Sequence, residues 1–269
     1  MSYGSQASDR LANKTVLITG ASAGIGEATA IELAHAVGSN PLKLVLAARR
    51  ADRLEDLKKR IEDKYPSVKV LPVALDVSKP AEIPAFVSGL PAEFAAIDVL
   101  INNAGMVHGV ERVGEIAQSD IEVMFNTNVL GLIALTQAIV VGMKERGRGD
   151  IVNLGSIAGR DPYPGGAIYC ATKAALRSFS HSLRKELINT RIRVIEVQPG
   201  AVETEFSIIR FRGDKSKADA VYKGTEPLVA QDIAEVITFN LTRRENCVIA
   251  ETLVFPSHQA SASHVYRQE

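Results

Sequence analysis

Cysteine is scarce in this 269-residue chain: Cys170 and Cys247 are the only two, and neither lies in a CxxC or Cys–His ligand spacing. A disulfide framework and a structural zinc site are therefore not expected. His35, His108, His181, His258 and His264 also lack metal-ligand spacing, so no metal is assigned. Net charge is missing as well, because 31 Lys plus Arg balance 31 Asp plus Glu, and no surplus positive field exists to hold nucleic acid or an anionic membrane. The longest apolar run, Val129–Met143, is shorter than a bilayer-spanning helix needs and is interrupted by Thr136 and Gln137. It reads as a buried helix at a core or subunit interface. Residues 1–13 are polar, carry Asp9 and have no apolar h-region, which predicts a flexible leader rather than a signal or transit peptide. The expected location is the cytoplasm.

The sequence does contain a regular alternation of short β-branched runs and longer helical patterns. Strands are predicted at Thr15–Thr19, Leu42–Ala48, Val68–Ala74, Ile97–Ile101, Asp150–Leu154, Ile192–Gln198 and Val248–Phe255. Helices are predicted at Ile25–Val37, Arg53–Lys64, Asp120–Met143, Ala167–Asn189 and Asp232–Asn240. With right-handed crossovers this is an α/β chain: a Rossmann-like, doubly wound domain whose seven-stranded, mostly parallel sheet carries helices on both faces. No repeat or Pro/Gly/Ser-rich linker divides it, so residues 14–269 are read as a single catalytic domain. The charged segment 205–223, EFSIIRFRGDKSKADAVYK, follows the sixth strand, at the sheet end where ligands bind, and is predicted to be a lid.

The run TVLITGASAGIG leads a strand into Gly20, Gly24 and Gly26 and then into a helix. Glycines there allow a tight turn and close approach of a pyrophosphate, while the helix start offers N–H groups and its positive dipole end. The second strand ends Ala47-Ala48-Arg49-Arg50, with no carboxylate to receive a ribose 2′-hydroxyl. Two guanidinium groups suit a 2′-phosphate, so the cofactor read from the residues is NADP(H).

In the stretch GSIAGRDPYPGGAIYCATK, Tyr169 and Lys173 are four residues apart on a predicted helix and share its face, and Ser156 ends the fifth strand. A loop between them can fold the helix start back to the strand rim. A Tyr–x3–Lys pair alone is a weak signal that needs its context.

With the glycine loop as that context, the chain resembles the short-chain dehydrogenase/reductase family from end to end. The motifs carrying the resemblance are TGASAGIG, Asp76 in LDVS, Asn102-Asn103-Ala104-Gly105, Asn128 in NTN, the Ser156, Tyr169 and Lys173 set, and Pro199-Gly200 with Thr204. The resemblance implies that Asn128, Ser156, Tyr169 and Lys173 are catalytic. Tyr169 would be the general acid or base, Ser156 would donate to the reacting oxygen, Lys173 would bear the charge and hold the nicotinamide ribose, and Asn128 would hold a relay water. Lowering a tyrosine from about 10 towards 7 takes roughly 4 kcal/mol of phenolate stabilisation. The same resemblance implies a cofactor set of Gly20, Ser22, Ala23, Gly24, Ile25, Gly26, Arg49, Arg50, Asp76, Val77, Asn103, Ala104, Gly105, Tyr169, Lys173, Pro199, Gly200, Val202 and Thr204. Asp76 and Asn103 would line the adenine side, and Val202 and Thr204 the carboxamide.

Within the family, VETEFSIIRFRGDKSKADAVY and the tail HQASASHVYR are most similar to the NADP-dependent dehydrogenases of serine, allo-threonine and related 3-hydroxy acids. A substrate carboxylate needs a cation, for which Arg160, Arg210 and Arg212 are candidates beside Ser156 and Tyr169. A reductase of neutral ketones would share the catalytic set without the clamp, and a non-catalytic NADP-binding module would lack turnover. The resemblance also implies a homotetramer.

Overall fold

The computed structural model describes residues 6–268. Its strands are β1 (Thr15–Thr19), β2 (Leu42–Ala48), β3 (Val68–Ala74), β4 (Val99–Asn102), β5 (Arg148–Leu154), β6 (Arg191–Pro199), β7 (Val202–Glu203), β8 (Leu228–Val229) and β9 (Glu251–Val254). Seven of them form one sheet in the order β3-β2-β1-β4-β5-β6-β9, and β7 pairs with β8. Every pairing in the large sheet is parallel. The helices are α1 (Ala7–Leu11), α2 (Gly24–Ala36), α3 (Ala51–Lys64), α4 (Ile83–Ser88), α5 (Gln118–Phe125), α6 (Leu132–Arg146), α7 (Ala167–Glu186), α8 (Glu205–Arg210), α9 (Lys215–Tyr222) and α10 (Ala230–Leu241).

Strand β1 shows why the sheet needs cover on both sides: all five of its residues are buried. Its alternation sends Val16 and Ile18 into a cluster with Leu33 of α2, Leu54 and Leu57 of α3, and Ile233 of α10. Leu17 points the other way, onto Leu135 and Ile139 of α6 and Leu183 of α7. The period of two along the strands and of 3.6 along the helices thus builds two cores from one sheet. Strand order reverses on either side of β1, and the crevice that opens there, beyond the carboxyl ends of the strands, is the natural ligand position.

Four local features depart from expectation. The helix predicted over Asp120–Met143 is α5, a wide π-type turn at Asn126–Gly131, and α6. In that turn Gly131 lies so close to Val77 that a Cβ would sit inside the Val77 carbonyl oxygen. The stretch Gln118–Arg146 is long and apolar enough to cross a membrane, with mean hydropathy 1.6 in its 18-residue apolar window. Its buried Leu132, Leu135, Ile139 and Met143 account for that apolarity, because they belong to the core. The leader, expected to be flexible, contains α1, since Leu11 is fully buried in the core beside Val16; residues 1–5 of that leader lie outside the described residues. Segment 205–223 is two short helices, α8 and α9, joined through Arg212 and Gly213, both at positive φ. The short helix α4 was not foreseen, being six residues with a single buried Ile83.

Gly131→Ala is expected to lower stability by roughly 1–3 kcal/mol through overpacking against the Val77 carbonyl. A denaturant midpoint equal to that of the parent chain would show that the π turn accommodates a methyl group.

Candidate active site

The carboxyl ends of the central strands open into a cavity of about 580 Å³. One end is walled by Gly20, Ser22 and Ala23 of the loop between β1 and α2 and by Gly24 and Ile25 at the start of α2. Gly20 adopts φ +66°, and a Cβ there would stand 2.9 Å from the Ala104 Cα, so only glycine lets the loop lie on the chain beyond β4. Gly26 is behind the wall, where a Cβ would be 2.5 Å from the Gly20 carbonyl oxygen, and it serves the packing of helix on loop. Helix α2 has no side-chain cap at Ala23. Its first N–H groups are therefore free to receive an anion, and the cradle suits a pyrophosphate.

The loop is tied to β4 by one threonine. Thr19 Oγ1 accepts from the backbone N–H groups of Asn103 at 3.1 Å and Ala104 at 3.0 Å. Asn103 Nδ2 donates back to the Thr19 carbonyl at 2.8 Å. Asn103, Ala104 and Gly105 consequently form the cavity floor. Asp76 and Val77 flank it, and the Asp76 carboxylate is engaged by Ser78 N and Oγ at 3.0 and 2.8 Å. Arg49 and Arg50 are exposed at the mouth. Arg50 donates to Ser22 Oγ at 3.2 Å and, with Arg53, to the two oxygens of Glu205, each at 2.8 Å. A guanidinium cluster with no carboxylate at the end of β2 suits a 2′-phosphate.

At the other end, Ser156, Tyr169 and Lys173 reach the same wall. Ser156 leaves β5 and caps the short turn Ile157–Gly159, its Oγ accepting from Ala158 N at 3.1 Å. Tyr169 and Lys173 are buried in the first turns of α7, and Lys173 Nζ donates to the Leu154 carbonyl at 2.6 Å. That ammonium is 5.8 Å from the Tyr169 ring centroid. Burial, reinforced by Tyr163, holds the Tyr169 phenol well above its ordinary range, against the Ser156 hydroxyl, which favours the phenolate. The protein residues alone thus keep Tyr169 protonated, opposite to the lowered value expected from the sequence, because desolvation penalises the phenolate. Burial pushes the Lys173 ammonium down to about 8, with Glu196 acting in the other direction.

A profile of the short chain dehydrogenase family matches residues 14–213. The chain belongs to that family. Among relatives, it is 56% identical over 260 residues to the NADP-dependent 3-hydroxy acid dehydrogenase of Schizosaccharomyces pombe, covering 97% of this chain and 99% of that one. It is 40% identical over 246 residues to the sulfoacetaldehyde reductase of Chromohalobacter salexigens, covering 91% of this chain and 94% of that one. Among solved structures it resembles a closed serine dehydrogenase complexed with NADP+, with TM-score 0.85 and 39% identity over 94% of this chain and 99% of that one.

In this short chain dehydrogenase Asn128 is not on the cavity wall. Its Oδ1 accepts from Met106 N at 2.8 Å, while Nδ2 donates to the Met106 carbonyl at 2.8 Å and to Thr172 Oγ1 at 3.0 Å. It staples the floor to α7, one residue from Lys173. Pro199, Gly200, Val202 and Thr204 lie on the wall as expected.

Of the three arginines proposed for a substrate carboxylate, only Arg210 reaches the cavity. Arg160 does not line the cavity, because Gln198 Oε1 on β6 and Glu251 Oε2 on β9 hold its guanidinium. Arg212 fastens segment 205–223 to α5 through Asp120 Oδ2 at 2.8 Å, with Glu111 at 3.3 Å. Neither binds at the cavity, which corrects the sequence expectation for both.

The sequence reading missed the other walls: Tyr163, Phe206 and Ile209, and from the tail His258, Gln259 and Arg267. Gln259 Oε1 accepts from Ala201 N at 2.8 Å, and Arg267 grips the carbonyls of Val221 and Lys223 at the end of α9. No periodicity marks such a tail; the only signal was its likeness to relatives.

In cofactor-free protein, 13Cε NMR of the lysines should resolve one that is protonated below about pH 8 and neutral above it, absent from Lys173→Met. A spectrum in which every lysine titrates near 10.4 would contradict this environment.

Proposed function

We propose that the chain is an NADP-dependent 3-hydroxy acid dehydrogenase, acting on small acids such as serine, L-allo-threonine or 3-hydroxyisobutyrate. The observation that carries the substrate class is Arg210. Its Nη1 donates to Tyr163 Oη at 3.1 Å and its Nη2 to the Gly165 carbonyl at 3.3 Å, with the guanidinium 5.3 Å from the Tyr163 ring centroid. Its Nε is buried without a partner. A buried donor on a cationic group at the cavity wall calls for an anionic acceptor.

The relatives support the same chemistry. A 3-hydroxy acid and sulfoacetaldehyde both hold an anionic group one carbon away from the reacting carbon. An arginine at a set distance from Tyr169 reads that spacing, whichever anion is present.

When bound, NADP(H) supplies or accepts hydride at nicotinamide C4. In reduction, Tyr169 gives its proton to the carbonyl oxygen, a role suited to the protonated state that burial enforces. Ser156 donates a hydrogen bond to the same oxygen, opposing charge build-up. Lys173 stabilises the phenolate left behind, and Asn128 keeps Lys173's helix and the floor in register. In oxidation the roles reverse, with Tyr169 as base. Arg49 and Arg50 take the 2′-phosphate, and α8 and α9 close over the substrate.

We also read the enzyme as a cytoplasmic homotetramer. The partly exposed Leu130 and Val141 on the Asn126–Arg146 stretch support subunit pairing, and sedimentation velocity would measure it.

The deciding experiment is an NADPH-oxidation panel with 3-keto acids and neutral ketones on three proteins. Tyr169→Phe should lose at least a hundredfold in kcat with both substrate classes, within the roughly 10²–10⁴-fold contribution of a general acid. Arg210→Ala should raise KM for the acids about tenfold or more and spare neutral ketones. Equal effects on both classes would favour a general carbonyl reductase, and NADPH binding without turnover would favour a non-catalytic module.

A further inference from the structure

Beyond Tyr169, α7 carries basic residues at four-residue intervals: Lys173, Arg177 and His181. Such spacing puts them on one stripe of the helix. Opposite the stripe stand two carboxylates from neighbouring strands, Glu196 on β6 and Glu251 on β9, which are direct register partners. Glu251 is the outer of the two. One of its oxygens meets His181 Nε2 and lies 3.7 Å from Arg177 Nε, and the other meets Arg160 Nη2.

Glu196 is the inner carboxylate and is 1% exposed. Its Oε1 accepts from Gln198 Nε2 at 2.8 Å, whereas its Oε2 has no hydrogen-bond partner. It lies directly against Gly155, where a Cβ would stand 2.5 Å from Oε1. Gly155 follows Leu154, whose carbonyl receives Lys173 Nζ at 2.6 Å. The buried carboxylate and the buried ammonium therefore flank the same two residues at the end of β5.

His181, Glu196 and Glu251 present ligand atoms within 4.8 Å of one another. A divalent cation there would add to positive charge already in place, since Arg160 and Arg177 both face Glu251. The cluster is better understood as an ionic ladder leading inward from the surface. A buried carboxylate with an unsatisfied oxygen is costly unless an opposite charge offsets it. The charge on its inner side is Lys173.

We propose that Glu196 is a positioning residue for hydride transfer, serving from beneath Gly155 as the counter-charge of the Lys173 ammonium. The inference rests on the assignment of Lys173 to the catalytic site. Electrostatics agree with the geometry: Glu196 holds Lys173 up against the effect of burial. Burial raises Glu196 itself; Gln198 lowers it, Glu251 raises it, and His181 and Lys173 lower it. The sign follows directly. Removing the anion makes Lys173 easier to deprotonate, so activity that needs the ammonium is lost from the alkaline side first.

The test is Glu196→Gln, read in two ways. By 13Cε NMR of cofactor-free protein, the Lys173 midpoint should fall by about one pH unit, equivalent to about tenfold in its acid constant. The alkaline limb of kcat/KM should shift the same way, with a change of less than about twofold at pH 6, where Lys173 stays protonated. Glu196→Asp, which keeps the charge, should recover most of both shifts.

Coupling is reciprocal, so a second arm avoids substituting Glu196. In Lys173→Met, the Glu196 carboxyl signal, followed with 13Cδ-labelled glutamate, should titrate at higher pH than in the parent chain. An unmoved Lys173 midpoint in Glu196→Gln, or an unmoved Glu196 midpoint in Lys173→Met, overturns the proposal. Activity separates it from the reading beneath it. If Lys173→Met turns over normally, the catalytic assignment fails; if that variant is inactive and the midpoints are uncoupled, only the role of Glu196 fails.

Discussion

One buried hydrogen bond, from Lys173 Nζ to the Leu154 carbonyl at 2.6 Å, locks the start of α7 onto the end of β5. Without it the tyrosine on the preceding turn and the serine on the strand rim would belong to separate elements joined by a loop. With it, Tyr169 and Ser156 share the cavity wall. The bond also explains why a lysine is buried at all. Desolvation works against its charge, and the protein answers with a carbonyl dipole at one side and a carboxylate, Glu196, at the other. Asn128 braces the same place from the opposite direction, tying Met106 to Thr172 on α7.

The cofactor end depends on a comparable economy. Thr19 ends β1 and, through its hydroxyl, receives two backbone N–H groups from the chain beyond β4. The glycine loop lies on that chain because Gly20 has no Cβ to hold it off. A strand end, a loop and a helix start are thereby set at one depth, and the uncapped start of α2 opens onto the cavity. Segment 205–223 and the cofactor end are also in contact. Glu205, the first residue of α8, bridges Arg50 and Arg53, so Arg50, suited to a phosphate, also holds the start of that segment. These pairs are half-exposed, and such pairs contribute little to stability, so they can be exchanged for a ligand.

The strands were readable because each is a short, nearly continuous apolar run, as a sheet covered on both faces requires. Tyr169 and Lys173 were readable because four residues is one helical turn. The π turn at Asn126–Gly131 was not, since the sequence shows only a helix-compatible run, and the pressure of the Val77 carbonyl on Gly131 comes from the turn after β3, fifty-odd positions earlier. Arg160, Arg210 and Arg212 looked equivalent as three guanidinium groups near strand ends or in the lid. Their fates differ because Arg160 finds Glu251 and Arg212 finds Asp120, whereas Arg210 lines the cavity and keeps a buried Nε without a partner. Competition among acceptors is a property of distance, which sequence spacing does not encode between elements.

By itself, then, the sequence determined the fold class, the place of the glycine loop and the helix face that Tyr169 and Lys173 share, because periodicity, glycine placement and one-turn spacing are local. The tertiary structure alone decided which arginine lines the cavity, in which direction burial shifts Tyr169 and which carboxylate lies against Gly155. Those outcomes depend on burial and on the nearest opposite charge, and both are set by residues far apart in the chain.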